Sequence, residues 1–216
     1  QHTNLLAVSD VNGLVFAATN TGFSVIRTSD LRSFFAAAAR NTSPAFDKSL
    51  RFIDTVAAAS IASLPTFIRS ADNHATVLVG FQNGIIAAWA VTGLVEGAKL
   101  DPLFVLQPPS PNLPLIDLVP NPSDRPELAV ALYRQDGTPG VESGTPIMVD
   151  VRSGSFGAQL SATGSRATAV CWSVKGKQIA VGLESGEIVQ VTPEGEPKDR
   201  IAKPESLPGQ YFISDL

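Results

Sequence analysis

At 216 residues, 44% of them hydrophobic and 17% charged, the chain can bury a real core as one large all-β unit or two small domains, and it is no disordered tail. A formal net charge of -4, a pI near 5.1 and the lack of any lysine or arginine cluster disfavour direct contact with nucleic acid, which needs a basic footprint. The lone cysteine, Cys171, excludes an internal disulfide or a cysteine-built zinc cage, and the longest apolar runs, such as Ile85 to Val91, fall far short of the roughly 20 residues that cross a bilayer.

In chain order, "LVFAATNTGFSVIRT" (Leu14 to Thr28) reads as a hairpin with Gly22 in its turn. "DLRSFFAAAARN" (Asp30 to Asn41) has alanine-rich helical propensity, with Asp30 as its expected cap, and would ride on the rim of the fold. "TVLVGFQNGIIAAWAV" (Thr76 to Val91) is a second hairpin, turning at Gly84. "LQPPSPNLP" (Leu106 to Pro114) is extended, polyproline-like chain with PxxP spacing from Pro108 to Pro111. A third unit lies in "LIDLVPNPSDRPELAVALYRQDG" (Leu115 to Gly137), turning at Gly137, with an insertion before "IMVDV" (Ile147 to Val151). Then come strands over Thr168 to Ser173, Gln178 to Leu183 and Glu187 to Val191, joined by turns at Lys175-Gly176-Lys177 and Glu184-Ser185-Gly186. The polar, proline-rich stretch from Pro193 to Gly209 reads as an exposed loop between units.

These units are copies of one another. "TVLVGFQNGIIAAWAV" aligns without a gap on "QIAVGLESGEIVQVTP", placing Gly80 on Gly182 and Gly84 on Gly186. The turn glycines fall at 22, 84, 137 and 186, separated by 62, 53 and 49 residues. A WD-type propeller blade takes about 40–45 residues, so these are blades with longer connecting loops. Cys171-Trp172-Ser173 stands where a WD repeat has its inner-strand aromatic and serine, and Val149-Asp150 stands near its terminal Trp-Asp. The expected fold is an all-β, WD-type β-propeller with about four blades, over units of roughly 4–30, 60–95, 113–155 and 166–203. Four blades leave a ring open, so the domain spanning 1–216 is expected to be part of a larger one. "YFISDL" (211–216) resembles "LIDL" (Leu115 to Leu118) and would open a further blade.

A search for chemistry returns little. His2 and His74 have no metal-ligand spacing around them, and His74, in the turn "SADNHAT", reads as a solvated turn residue. No nucleophile elbow, phosphate-binding loop or dinucleotide fingerprint is present, so no cofactor and no catalysis are expected. "NTS" (Asn41 to Ser43) fits the glycosylation pattern as a lone match. Trp89 and Trp172 sit on strands where packing between blades is the ordinary role, and Cys171 is expected to be a small buried hydrophobe. Propeller enzymes place polar clusters on their inner strands, whereas "TAVCWS" and "LIDLV" are mostly apolar.

Two strings carry a family resemblance. "NLLAVSDVNGLVFAATNTGFSVI" (Asn4 to Ile26) resembles the first blade of the N-terminal β-propeller of the cytoplasmic-face FG nucleoporin CAN and its fungal counterparts. "VCWSVKGKQIAVGLESGEIVQ" (Val170 to Gln190) is similar to that family's V-C-W-S-P-K-G-K-Q-L-A-V-G segment, with Val174 in place of the proline. The resemblance implies a seven-bladed propeller on the cytoplasmic side of the nuclear pore, non-catalytic and without cofactor. It would sit beside other nucleoporins and dock the DEAD-box RNA helicase of messenger RNA export in competition with RNA. Such a helicase offers the basic surface it uses for RNA phosphates, so acidic loops would suit it. The acidic candidates are Glu194, Glu196 and Asp199 in the loop after the fourth unit, whose alternative role is a solvated loop. A generic WD-repeat scaffold in another complex shares every feature except these two strings.

Overall fold

The computed structural model describes residues 3–40, 48–97, 100–111, 113–135, 143–160, 165–206, 212–214 and 216. Each of its four units is a four-stranded antiparallel meander. The first holds β1 (Leu6–Ser9), β2 (Leu14–Ala18), β3 (Gly22–Arg27), the helix α1 (Thr28–Ala38) and β4 (Arg51–Asp54). The second holds β5 (Pro65–Ala71), β6 (Thr76–Phe81), β7 (Ile86–Ala90), the short helix α2 (Val91–Glu96) and β8 (Phe104–Leu106). The third comprises β9 (Leu115–Pro120), β10 (Leu128–Gln135), β11 (Ser143–Asp150) and β12 (Ser155–Gln159), and the fourth β13 (Ala167–Trp172), β14 (Ile179–Leu183), β15 (Ile188–Val191) and β16 (Pro197–Ile201). The third and fourth join through the single pair Gly144↔Ala167 between β11 and β13.

Three apolar layers hold the four sheets together, one between each neighbouring pair. Phe16, Phe23, Val25 and Ile53 of the first sheet meet Ile68, Val77, Val79 and Trp89 of the second. The other face of the second sheet, through Phe67, Leu78 and Ile86, packs on Leu115, Leu118, Ala131 and Val149 of the third. Val130, Leu132 and Met148 then meet Val170, Trp172, Ile179 and Val181 of the fourth. A middle sheet is therefore covered on both faces, which is why Thr76–Phe81 is apolar almost throughout and buried at every residue.

The first strands of the sheets run side by side along the inside of the arc. Asn4 and Phe67 form a parallel bridge, with Asn4 N–H donating to Thr66 O and Ile68 N–H to Asn4 O. Arg69 on β5 reaches across to β9, its Nε donating to Leu118 O at 2.7 Å and its Nη2 to Asp117 Oδ1 at 3.2 Å. Burial lowers the Arg69 pKa and Asp117 opposes that shift, so the pair joins two sheets with its charges matched.

Two aligned glycines have the same use. A Cβ on Gly80 would lie 2.5 Å from Leu115 Cδ2, and one on Gly182 would lie 2.6 Å from Ile213 Cβ. Ile213 N–H also donates to Leu183 O at 3.4 Å, and the Thr168 hydroxyl donates to Ile213 O. Ile213 thus takes on the fourth sheet the place that Leu115 takes on the second.

Tyr133 is buried between sheets, and its hydroxyl donates to Gly84 O at 2.9 Å. Burial pushes the phenol's pKa upward, because the phenolate would lose its hydration. With the folded pKa above the unfolded value of about 10, this stabilising contribution is complete below pH ~10 and declines as pH rises further. Tyr133→Phe is expected to cost about 1–2 kcal/mol at neutral pH. It should also flatten the alkaline limb of a stability-against-pH curve measured by urea unfolding; an alkaline limb identical to that of the parent would exclude Tyr133 as its source.

Several local expectations are corrected. The helix begins at Thr28 with Arg27 at the N-cap and no side-chain cap bond, and Asp30 lies in its first turn, where it complements the helix dipole. Gly22 opens β3 instead of sitting in the turn. A Cβ there would stand 1.7 Å from Ile53 O, so the residue permits the close pairing of β3 with β4. Part of the 193–209 stretch is no loop: Pro197–Ile201 pairs with β15 as the outermost strand, exposed at every position. Cys171 is half-buried. Gly137, the Asn41–Ser43 pattern and His2 lie outside the described residues.

Candidate docking surface

Because strands alternate in direction, the connections of each sheet leave at two opposite ends. At one end the turns between first and second strands form a linked series. In the first, Asn12 Nδ2 donates to His74 O at 3.0 Å, and Asp10 Oδ1 lies 3.5 Å from His74 Nε2. His74 Nδ1 shares a 3.0 Å hydrogen bond with Ser70 Oγ. His74 is accordingly half-buried and ties the first sheet to the second, where a solvated turn residue was expected.

Its turn is unusual in holding Asp72, Asn73 and His74 consecutively in left-handed conformation, at φ of 49°, 50° and 67°. Asp, Asn and His are the non-glycine types that enter this region most readily. Asp72 then takes a two-point contact from Arg152 of the third sheet, at 3.0 Å from Nε and 2.6 Å from Nη2. Asn121 Nδ2 donates to Gly176 O at 2.7 Å, joining the third sheet to the fourth. A hollow of about 250 Å³ lies between the turn at His74 and Pro120-Asn121-Pro122.

The three acidic candidates sit at this end, on the hairpin joining β15 to β16. Glu194 accepts from Arg125 Nη1 at 3.0 Å, and Arg125 is also held by Glu127 at 3.0 Å. The Glu127 hydrogen bond is the main reason the Arg125 pKa is raised, with Glu194 adding to it. Glu196 accepts from Lys198 Nζ at 3.4 Å. Asp199 is on strand β16, where it accepts from Arg200 N–H at 2.8 Å. The structure brings the trio onto one hairpin, but Glu194 and Glu196 already have cations beside them, so their combined field is weaker than their sequence suggests. Arg125 is the partner that sequence reading missed, since nothing local marks it as the mate of a residue on another sheet.

At the opposite end the PxxP stretch is partly engaged. Pro108 is half-buried beside Gly84, while Pro109 and Pro111 are exposed. Among the described residues no group of three or more His, Cys, Asp or Glu side chains could hold a metal ion, and no helix is long and apolar enough to cross a membrane.

A family model described as the NUP159/214 β-propeller matches residues 1–216. This chain belongs to the NUP159/214 β-propeller family. The resemblance carried by residues 4–26 and 170–190 therefore extends over the whole length, and the four packed meanders are blades of that propeller. Nucleoporin NUP159 of Chaetomium thermophilum is 28% identical over 219 residues, a match covering 99% of this chain and 14% of that protein. Nucleoporin nup146 of Schizosaccharomyces pombe is 47% identical over 47 residues, 22% of this chain and 4% of that one. Among solved structures, a chain from a complex of a Saccharomyces cerevisiae Dbp5 variant with Nup159, a Gle1 variant, IP6 and ADP superposes with a TM-score of 0.63 at 16% identity, over 95% of this chain and 45% of the other. A chain of the mitotic checkpoint complex superposes at 0.60, also at 16% identity, over 93% of this chain and 51% of the other. At that identity the two superpositions speak for the propeller fold alone.

Proposed function

We propose that this NUP159/214-family propeller is a non-catalytic docking platform on the cytoplasmic face of the nuclear pore. There, beside other nucleoporins, it would hold the DEAD-box RNA helicase of messenger RNA export in competition with RNA. Membership of the family over the full length of the chain carries the reading. It is supported by the 28% identity to Nucleoporin NUP159 of Chaetomium thermophilum, a Nup159 being bound to Dbp5 in one solved complex, and by turns cross-linked from sheet to sheet, which offer a partner a surface that needs little ordering. The platform would be part of a larger ring, with 211–216 opening the next blade, in keeping with Ile213 packed against Gly182. The mechanism is a population shift: a partner held on the platform is withdrawn from RNA by differential affinity.

The test is a binding titration of the export helicase against the chain, with and without single-stranded RNA. RNA should weaken the apparent affinity in proportion to its concentration, and an affinity that ignores RNA would reject competition. Glu196→Lys with Asp199→Lys examines the acidic hairpin while leaving the Arg125–Glu194 link intact. Helicase affinity is expected to fall about three- to tenfold at low salt and to lose part of its salt dependence. Unchanged affinity and salt slope would remove the hairpin from the contact.

A further inference from the structure

The backbone of Arg125 is fixed from several directions, although its side chain is 42% exposed. The residue stands in the turn 121–127 between β9 and β10, which is built around the buried Asn121. Asn121 Oδ1 accepts from Ser123 N–H at 2.9 Å and from Arg125 N–H at 3.3 Å, and Leu128 N–H donates to Arg125 O at 2.9 Å. The same side chain donates through Nδ2 to Gly176 O on the fourth sheet. A Cβ on Gly176 would lie 2.2 Å from Asn121 Oδ1, so the two sheets meet closely at this point. Trp172 Nε1 of the fourth sheet adds a 2.9 Å bond to Val119 O, just before the turn.

From that fixed backbone the guanidinium forks between carboxylates of two sheets. Its Nε donates to Glu127 Oε1 at 3.0 Å within its own turn, and its Nη1 donates to Glu194 Oε1 at 3.0 Å on the hairpin of the fourth sheet. Glu194 is the most open of the three side chains, at 62% exposure against 24% for Glu127. It is the carboxylate an incoming partner would reach first, and a cation of the same chain already holds it. The other two acidic residues of the hairpin are held differently. Glu196 has Lys198 Nζ at 3.4 Å, a point charge on a flexible stem, and Asp199 accepts from the backbone N–H of Arg200.

A cation approaching Glu194 meets the like charge of Arg125 and must replace a hydrogen bond already made, so its gain is the difference between two similar contacts. Exposed ion pairs contribute little when both side chains must be ordered to form them, but here the backbone of the arginine is ordered beforehand. We propose that Arg125 is a charge gate on the docking surface: it withholds Glu194 from cationic partners and leaves Glu196 and Asp199 as the carboxylates the hairpin offers. Arg125 thus acts through Glu194, as a residue that sets specificity without touching the partner. That the partner is the export helicase rests on the platform reading above; the gate itself requires only a cationic surface.

The probe is a hexa-arginine peptide, titrated at about 0.15 M NaCl in parallel with the export helicase. Arg125→Gln is expected to tighten hexa-arginine binding about two- to fivefold. Glu194→Gln should change affinity by less than about 1.5-fold in the parent, yet remove most of the gain in the Arg125→Gln background, where Glu194 is released. Arg125→Lys keeps the charge but not the fork and should give a smaller rise; it carries the test if the glutamine variant lowers the unfolding midpoint. Lys177→Gln, on the exposed turn 173–178 of the fourth sheet, removes the same unit charge without holding Glu194 and controls for net charge. Additive effects of Arg125→Gln and Glu194→Gln would overturn the gate, as would an equal gain from Lys177→Gln. A helicase that binds neither the parent nor any variant would reject the platform reading, while the hexa-arginine titrations still decide the gate.

Discussion

Gly84→Ala is expected to destabilise the chain by about 3–5 kcal/mol, among the largest effects open to a single methyl group here. Gly84 turns the chain between β6 and β7 at φ 85°, in the left-handed region where a side chain is strained. A Cβ there would also stand 2.0 Å from Leu113 O and 3.1 Å from Pro108 Cβ. The oxygen belongs to backbone, so relief requires the 107–114 connection to lift. That movement would also disturb the carbonyl of Gly84, which accepts the Tyr133 hydroxyl. Gly13→Ala isolates the conformational part, because Gly13 has φ 61° but its nearest neighbour would be Thr28 Oγ1 at 3.5 Å; it should cost about 1 kcal/mol. Urea unfolding of both variants measures the difference. Equal losses would mean that the contact with Leu113 contributes nothing and only the backbone strain matters.

Trp89→Ala should cost a similar amount, about 3–5 kcal/mol, for a different reason. Trp89 is 2% exposed and lies in the layer between the first two sheets, edge-on to Phe23 with ring centroids 5.1 Å apart. Its indole Nε1 donates to Leu100 O at 2.9 Å, fixing the connection between α2 and β8. Removing the ring leaves a void that strand backbones on both sides cannot close, and it leaves that carbonyl without its indole donor. Trp89→Phe keeps most of the apolar volume and loses the donor, so a smaller cost of about 1–2 kcal/mol is expected. If the two variants proved equally unstable, the hydrogen bond to Leu100 and not the packing would dominate. Trp172, the other tryptophan, remains as the fluorescence probe in both.

Local turn chemistry made much of the fold legible. The strands expected at 178–183 and 187–191 appear as Ile179–Leu183 and Ile188–Val191. The turns bounding them carry Gly176 and Gly186 at φ of 68° and 84°, a requirement set within a few residues. β16 escaped notice because an outermost strand with no buried face shows no alternation, so "PKDRI" reads like loop. The bonds from Arg152 to Asp72 and from Arg125 to Glu194 could not be found at all, because each joins residues on different sheets, separated in sequence by most of one unit or more.

Sequence alone determined the repeating hairpin, the glycine positions that let it turn, and the family strings at both ends of the chain, since these depend on backbone preference and on neighbours along the chain. Only the tertiary structure decided which acidic side chains are already matched by a cation and which turns are bonded from one sheet to the next. Those properties arise when strand alternation sends distant connections to the same end of neighbouring sheets, an outcome of packing that no single segment encodes.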